Sequence, residues 1–113
     1  MKVLLFFIDG FGIGNADENV NPWMHAVTPG FDRLLGGRRL FAEQAPWRSD
    51  LAIVVPADAT LGVPGTPQSA TGQVALLSGE NAPRVVGGHL SGFPKGPLKA
   101  LLYEHSIFKQ LAA

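Results

Sequence analysis

Residues Val3 to Ile8 form an uninterrupted apolar run that stops at Asp9 and is followed by Gly10, Gly12 and Gly14. No polar residue alternates with the apolar ones. A strand built from this run buries both faces, as in a parallel sheet covered by helices. The run is too short for a signal-peptide core, an acid follows it, and no small-residue cleavage site comes next. A strand ending in a carboxylate and a glycine-rich turn presents one negative group at a sheet rim, where open α/β folds build their sites.

Downstream, helix and strand signals alternate. Residues 9–27 read as a long loop, rich in Gly and Asn and broken by Pro22. Loops of that length inside compact domains are usually functional or mobile. Thr28-Pro29 predicts a helix start, with Thr28 as cap, Pro29 in the first turn and Asp32 facing the positive dipole end. Phe31, Leu34 and Leu35 have the spacing of a buried face, and Gly36-Gly37 ends the helix. Arg38 to Ala42 is a short strand candidate. Leu51 to Val55 is a stronger one, terminated by Pro56. Residues 56–68 and 80–97 read as loops. Between them a helix is predicted from near Ser69 to about Ser78, with Gly79 as stop. Pro97 to His105 reads as a helix with Leu98, Leu101 and Leu102 on one face, and Ser106 caps a last helix through Leu111.

This order predicts an α/β fold with parallel strands. Two or three strands are few for a complete sheet, and the chain stops soon after its last helix, as though a continuation were absent.

The 113 residues make one domain with a modest core the default. Nine basic and nine acidic residues cancel, so no long-range field attracts a polyanion, and a nucleic-acid partner is not expected. Arg38-Arg39 reads as a solvated turn. The absence of cysteine excludes disulfides and thiolate metal sites and is compatible with a reducing cytoplasm. No segment approaches the roughly 20 apolar residues of a spanning helix, so no membrane partner is expected. Charged residues are only 16% of the chain, which implies apolar surface intended for self-association, a partner or a missing segment.

The second chemical signal is Pro67-Gln68-Ser69-Ala70-Thr71-Gly72-Gln73, a hydroxyl-bearing turn leading into a helix. A free hydroxyl is a weak nucleophile, so Ser69 needs activation. His25, His89 and His105 stand in no telling motif and read as loop or surface residues. No Gly-x-Ser-x-Gly elbow is present, and a lysine base has no local signal. A divalent metal that binds the hydroxyl and favours its alkoxide is the remaining route, with Asp9 as anionic co-ligand. Free amides at a helix start near Ser69 would stabilise an alkoxide or phosphoryl oxygen. Thr71 is the fallback nucleophile, Gln73 a donor to substrate, and Gly72 a point of close backbone packing. Against this, Ser69 also reads as a plain helix cap and Asp9 as a turn residue. Gly10-Phe11-Gly12-Ile13-Gly14 has the wrong glycine spacing for a dinucleotide turn, and no Gly-Lys-Ser/Thr exists for a phosphate-binding loop.

Phe7-Ile8-Asp9-Gly10-Phe11-Gly12 resembles the opening strand and metal-binding Asp of the alkaline phosphatase superfamily. The nearest branch holds cofactor-independent phosphoglycerate mutase and phosphopentomutase. Asp58 to Gln73 is similar to its nucleophile segment, with Ser69 matching the phosphorylated residue and Gly72 the following Gly. Gln73 stands where the mutases usually have His, so the pattern looks more like other metalloenzymes of that superfamily. Thr28-Pro29 also resembles the start of the first helix in such enzymes. The resemblance implies a sandwich of helices around a mostly parallel sheet. It also implies two divalent ions, manganese or zinc, held by Asp9, Ser69 and further Asp and His residues that this chain lacks. The chain then reads as the N-terminal portion (residues 1–113) of a cytoplasmic metal-dependent phosphohydrolase or phosphomutase-like enzyme. Ser69 would carry a phosphoserine intermediate from a phosphorylated small-molecule substrate. The other reading is a truncated, non-catalytic α/β domain acting through self-association or partner binding.

Overall fold

The computed structural model describes residues 2–112, which fall into two compact units divided after Ala57. Helix accounts for 38% of the structure and strand for 4%, which decides the fold class: this is not a mostly parallel α/β sandwich.

In the first unit, helix α1 (Pro29–Leu34) begins where Thr28-Pro29 predicts. Thr28 makes no capping bond to an amide; its hydroxyl instead donates to Asp32 Oδ1 at 3.3 Å. The helix gives way at Leu35, which is buried, and the chain turns through Gly36 and Gly37. Phe31 belongs to an aromatic trio with Phe11 and Trp23, their ring centroids 5.0 to 6.0 Å apart, and edge-to-face contacts at Trp23 hold it together. The indole Nε1 of Trp23 is buried with no hydrogen-bond partner among the described residues. Arg39 donates to the carbonyls of Ala26 (2.8 Å) and Trp23 (3.4 Å), and the Arg38 guanidinium lies 5.4 Å from the Trp47 ring centroid. The arginine pair is therefore tied into the unit and is not merely a solvated turn.

The sheet consists of β1 (Trp47–Arg48) and β2 (Ile53–Val54), paired antiparallel with Trp47 opposite Val54 and Arg48 opposite Ile53. Ser49 closes this hairpin: the amides of Leu51 and Ala52 donate to its hydroxyl oxygen, which donates in turn to Leu34 O. The strand expected over 51–55 is thus present only at its centre. The strand expected over 38–42 is absent; Ala42–Gln44 forms a single 3-10 turn instead.

The largest correction concerns Val3 to Ile8. These residues lie outside any helix or strand, and their side chains are 47% to 80% exposed. An apolar run has strand propensity, but a strand exists only where neighbouring backbones complete its ladder. Among the described residues the hairpin of β1 and β2 recruits no third strand.

The second unit is helical: α2 (Ser69–Ser78), α3 (Ala82–Val86), α4 (Pro97–His105) and α5 (Ile107–Ala112). Ala70, Val74, Ala82 and Leu98 make its core, with Ala75, Val86, Leu101 and Leu102 packed around them. The Leu98, Leu101, Leu102 stripe of α4 faces that core, as its spacing predicts. Gly79 stops α2 in the left-handed conformation at φ 76°, which returns its amide to Ala75 O. Helix α3 falls inside the stretch expected to be a loop. Asn81 caps it by accepting from the Arg84 amide at 3.1 Å, and Pro83 occupies its first turn.

Candidate functional site

Of the two nominated residues, Asp9 lies in an exposed turn of the first unit and Ser69 opens α2 in the second. Ser69 is the first helical residue and not the cap: Gln68 occupies the cap position without a side-chain capping bond. Nor are the next amides free. Those of Ala70 and Thr71 both donate to Leu90 O, at 3.0 and 3.3 Å, and that of Gly72 donates to Gln68 O at 2.9 Å. The fallback nucleophile Thr71 is fully buried; its hydroxyl donates to Gln68 O and accepts from the Leu90 amide. A Cβ at Gly72 would meet nothing within 4 Å, so this glycine does not serve close packing.

The three histidines are each engaged locally. His25 Nε2 meets Glu18 O at 3.1 Å, and His89 Nε2 meets Val63 O at 3.0 Å. His105 sits 3.7 Å from both Glu80 and Glu104 on the surface. Among the described residues, no group of three or more His, Asp or Glu side chains is arranged to hold a metal ion.

What the structure does build in the second unit is a fastened loop over residues 58–65. The Asp58 carboxylate accepts from the Thr60 hydroxyl (2.6 Å) and amide (2.9 Å), and Thr60 O accepts from Val63 N across a turn in which Leu61 has φ 52°. Asn81 Nδ2 donates to Leu61 O at 2.9 Å, and His89 holds Val63. These bonds keep the Asp58 carboxyl below the ordinary carboxylate range. The Thr60 hydroxyl is the largest cause, followed by the Thr60 amide; desolvation opposes them, and the Gly62 amide and the His89 charge add smaller lowering effects. The strap is tied within itself through Asp58 and Thr60 and to the rest of the unit through Asn81 and His89.

Beside the start of α2 lies a cavity of about 390 Å³. Ala70 and Leu98 form its floor, and Ser91, Phe93 and Lys95 stand around it. From the sequence, the stretch 80–97 reads as a loop whose Arg84, His89 and Lys95 could contact an anionic group, with surface exposure explaining them equally well; of these three, only Lys95 lines the cavity. The usable signal was Asn81-Ala82-Pro83, a helix start that puts residues 88–96 between two helices.

The chain matches no protein-family model, no curated protein and no solved structure. The likeness to the alkaline phosphatase superfamily is contradicted by the structure, which is mostly helical with a two-stranded antiparallel sheet. A metal-dependent phosphohydrolase or phosphomutase working through phosphoserine depends on the parallel-sheet sandwich, and the mostly helical structure overturns that reading. No helix among the described residues is long and apolar enough to cross a membrane.

Proposed function

We propose that the chain is an assembly element whose segment 3–8 pairs with the same segment of a second copy. The observation that carries this reading is the exposure, by 47% to 80%, of six consecutive uncharged apolar side chains outside any helix or strand. Such a run has high β propensity, no Pro, no Gly and no charge to select a complementary partner, so its best match is itself. A two-fold antiparallel pairing satisfies both copies at once through one self-complementary patch.

The magnitudes favour modest affinity. Full burial of a large apolar side chain contributes about 1.5–3 kcal/mol, and a strand pair covers about half of each residue. Six residues per copy then give roughly 12 kcal/mol in total, against an association cost of about 4–15 kcal/mol. The balance runs from about 8 kcal/mol in favour of the pair, a Kd near 1 µM, down to none, and sedimentation equilibrium between about 1 and 200 µM covers its favourable end. Dimer formation that rises with concentration, and is lost in a Leu4→Lys, Phe6→Lys double variant with unchanged helical circular dichroism, is the expected result. A wild-type chain that stays monomeric throughout, or a double variant that associates as well as wild type, sinks the reading.

A further inference from the structure

The cavity beside α2 is framed by residues that are pinned on both sides. Leu90 O holds the amides of Ala70 and Thr71, and Leu90 N donates to Thr71 Oγ1 at 3.3 Å. At the other end Lys95 O accepts from Leu98 N at 3.1 Å at the start of α4. Between these fixed points the chain carries Phe93, which is 87% exposed beside a cavity of about 390 Å³. That volume falls within the range of small-ligand sites, roughly 300–1,000 Å³. A single exposed Phe is ordinary. An exposed Phe on an anchored loop, at the mouth of a cavity floored by the buried side chains of Ala70 and Leu98, is a ready-made apolar wall.

The charge of the lining selects the ligand. Among the described residues Lys95 is the only charged side chain that lines the cavity, and no carboxylate does. The helix-start amides that would otherwise receive a multiply charged oxyanion are spent on Leu90 O. One ammonium and the Ser91 hydroxyl suit a single negative charge, and the remaining surface suits hydrocarbon. We propose that this cavity binds a small monocarboxylate with a compact apolar body, aryl or short alkyl. The carboxylate pairs with Lys95 and the body lies on Ala70 and Leu98 against Phe93. The site belongs to the second unit and is independent of segment 3–8, so either reading fails without the other.

The test is an NMR titration of the isotope-labelled full chain with phenylbutyrate, phenylbutanol and inorganic phosphate as separate probes. Phenylbutyrate is expected to give saturable shifts of the Ala70, Gly92 and Lys95 amides with a Kd of about 1 mM or tighter. Phenylbutanol should bind about tenfold more weakly, the worth of one partly exposed charge-assisted hydrogen bond. Lys95→Gln should bring the acid down to the alcohol's affinity. Phe93→Ala should weaken both by about tenfold. Both side chains are exposed, so neither change should alter the fold, which the unshifted core amides of Val74 and Ala82 report. Shifts that do not saturate, equal affinity for acid and alcohol, indifference to Lys95→Gln, or phosphate binding as tightly as phenylbutyrate would each overturn the proposal.

Discussion

Asp58 shows how far one side chain can organise a loop with no help from burial. Its carboxylate is fully exposed, yet it holds the Thr60 hydroxyl at 2.6 Å and the Thr60 amide at 2.9 Å. Both donors favour the charged form, so the folded-state pKa lies below the unfolded one. A depressed acid adds stability that is present above the unfolded pKa and is lost as pH falls through the folded value. The strap over 58–65 should therefore loosen only below the ordinary carboxylate range. Replacing Thr60 with Val removes the first-ranked donor, and an NMR titration of the Asp58 carboxyl should then move up toward the ordinary value. An unchanged titration would mean that the Thr60 amide, the Gly62 amide and His89 hold the charge without the hydroxyl. Asp58 was read from the sequence only as part of a likeness, because its partners are two, four and thirty-one positions away and only the nearer ones follow from local turn chemistry.

At the scale of the element, the readable parts are those whose signals are local. Helix α2 begins and ends where expected, because a polar turn precedes it and Gly79 follows; α4 shows its stripe for the same reason. Helix α3 is a short piece whose start signal, Asn81 then Pro83, was outweighed by Gly87-Gly88 just beyond it. The strand expected over 51–55 is found in part, as Ile53–Val54, whereas that at Val3 to Ile8 is not, because a strand's energy lies in its neighbours and propensity says nothing of whether a neighbour exists. At the candidate site an acid and a hydroxyl are legible as residue types, whereas the bonds from Ala70 and Thr71 to Leu90 O are not. Two substitutions separate the kinds of information. Leu98 is 1% exposed at the centre of the core, so Leu98→Ala should cost about 2–5 kcal/mol. A Cβ at Gly79 would meet nothing within 4 Å, so Gly79→Ala should cost only the left-handed backbone term, about 1 kcal/mol. Urea unfolding followed by the helical circular dichroism of the whole chain measures both. A unit of this size carries roughly 3–8 kcal/mol in all, so the leucine variant should be close to unfolded and the glycine variant folded. Equal losses would mean that the core is not where the burial places it.

At the scale of the molecule, chemistry and surface point in different directions. Each unit offers one of the two oxygens that the sequence nominates as metal ligands, and no third His, Asp or Glu joins either in a cluster among the described residues. A divalent ion takes roughly four to six ligands, so calorimetric titration with manganese or zinc tests the metal that the sequence leads one to expect at Asp9 and Ser69. A one-to-one isotherm abolished by Asp9→Asn would support it, and an isotherm indifferent to that change would count against Asp9 as a ligand. Segment 3–8, in contrast, makes a claim that only a second molecule can satisfy. In an antiparallel pair, facing residues alternate between those that exchange both backbone bonds and those whose amides point away. Amide exchange along 3–8 should therefore be fast in dilute solution. As concentration rises it should slow at every other residue, either at Leu4, Phe6 and Ile8 or at Val3, Leu5 and Phe7. The amides of α2 and α4 rest on a core within one chain and should not respond to concentration. Alternating protection identifies a strand pair. Uniform protection would indicate that the apolar side chains cluster without a ladder, and protection already present at the lowest concentration would locate the partner within the chain itself.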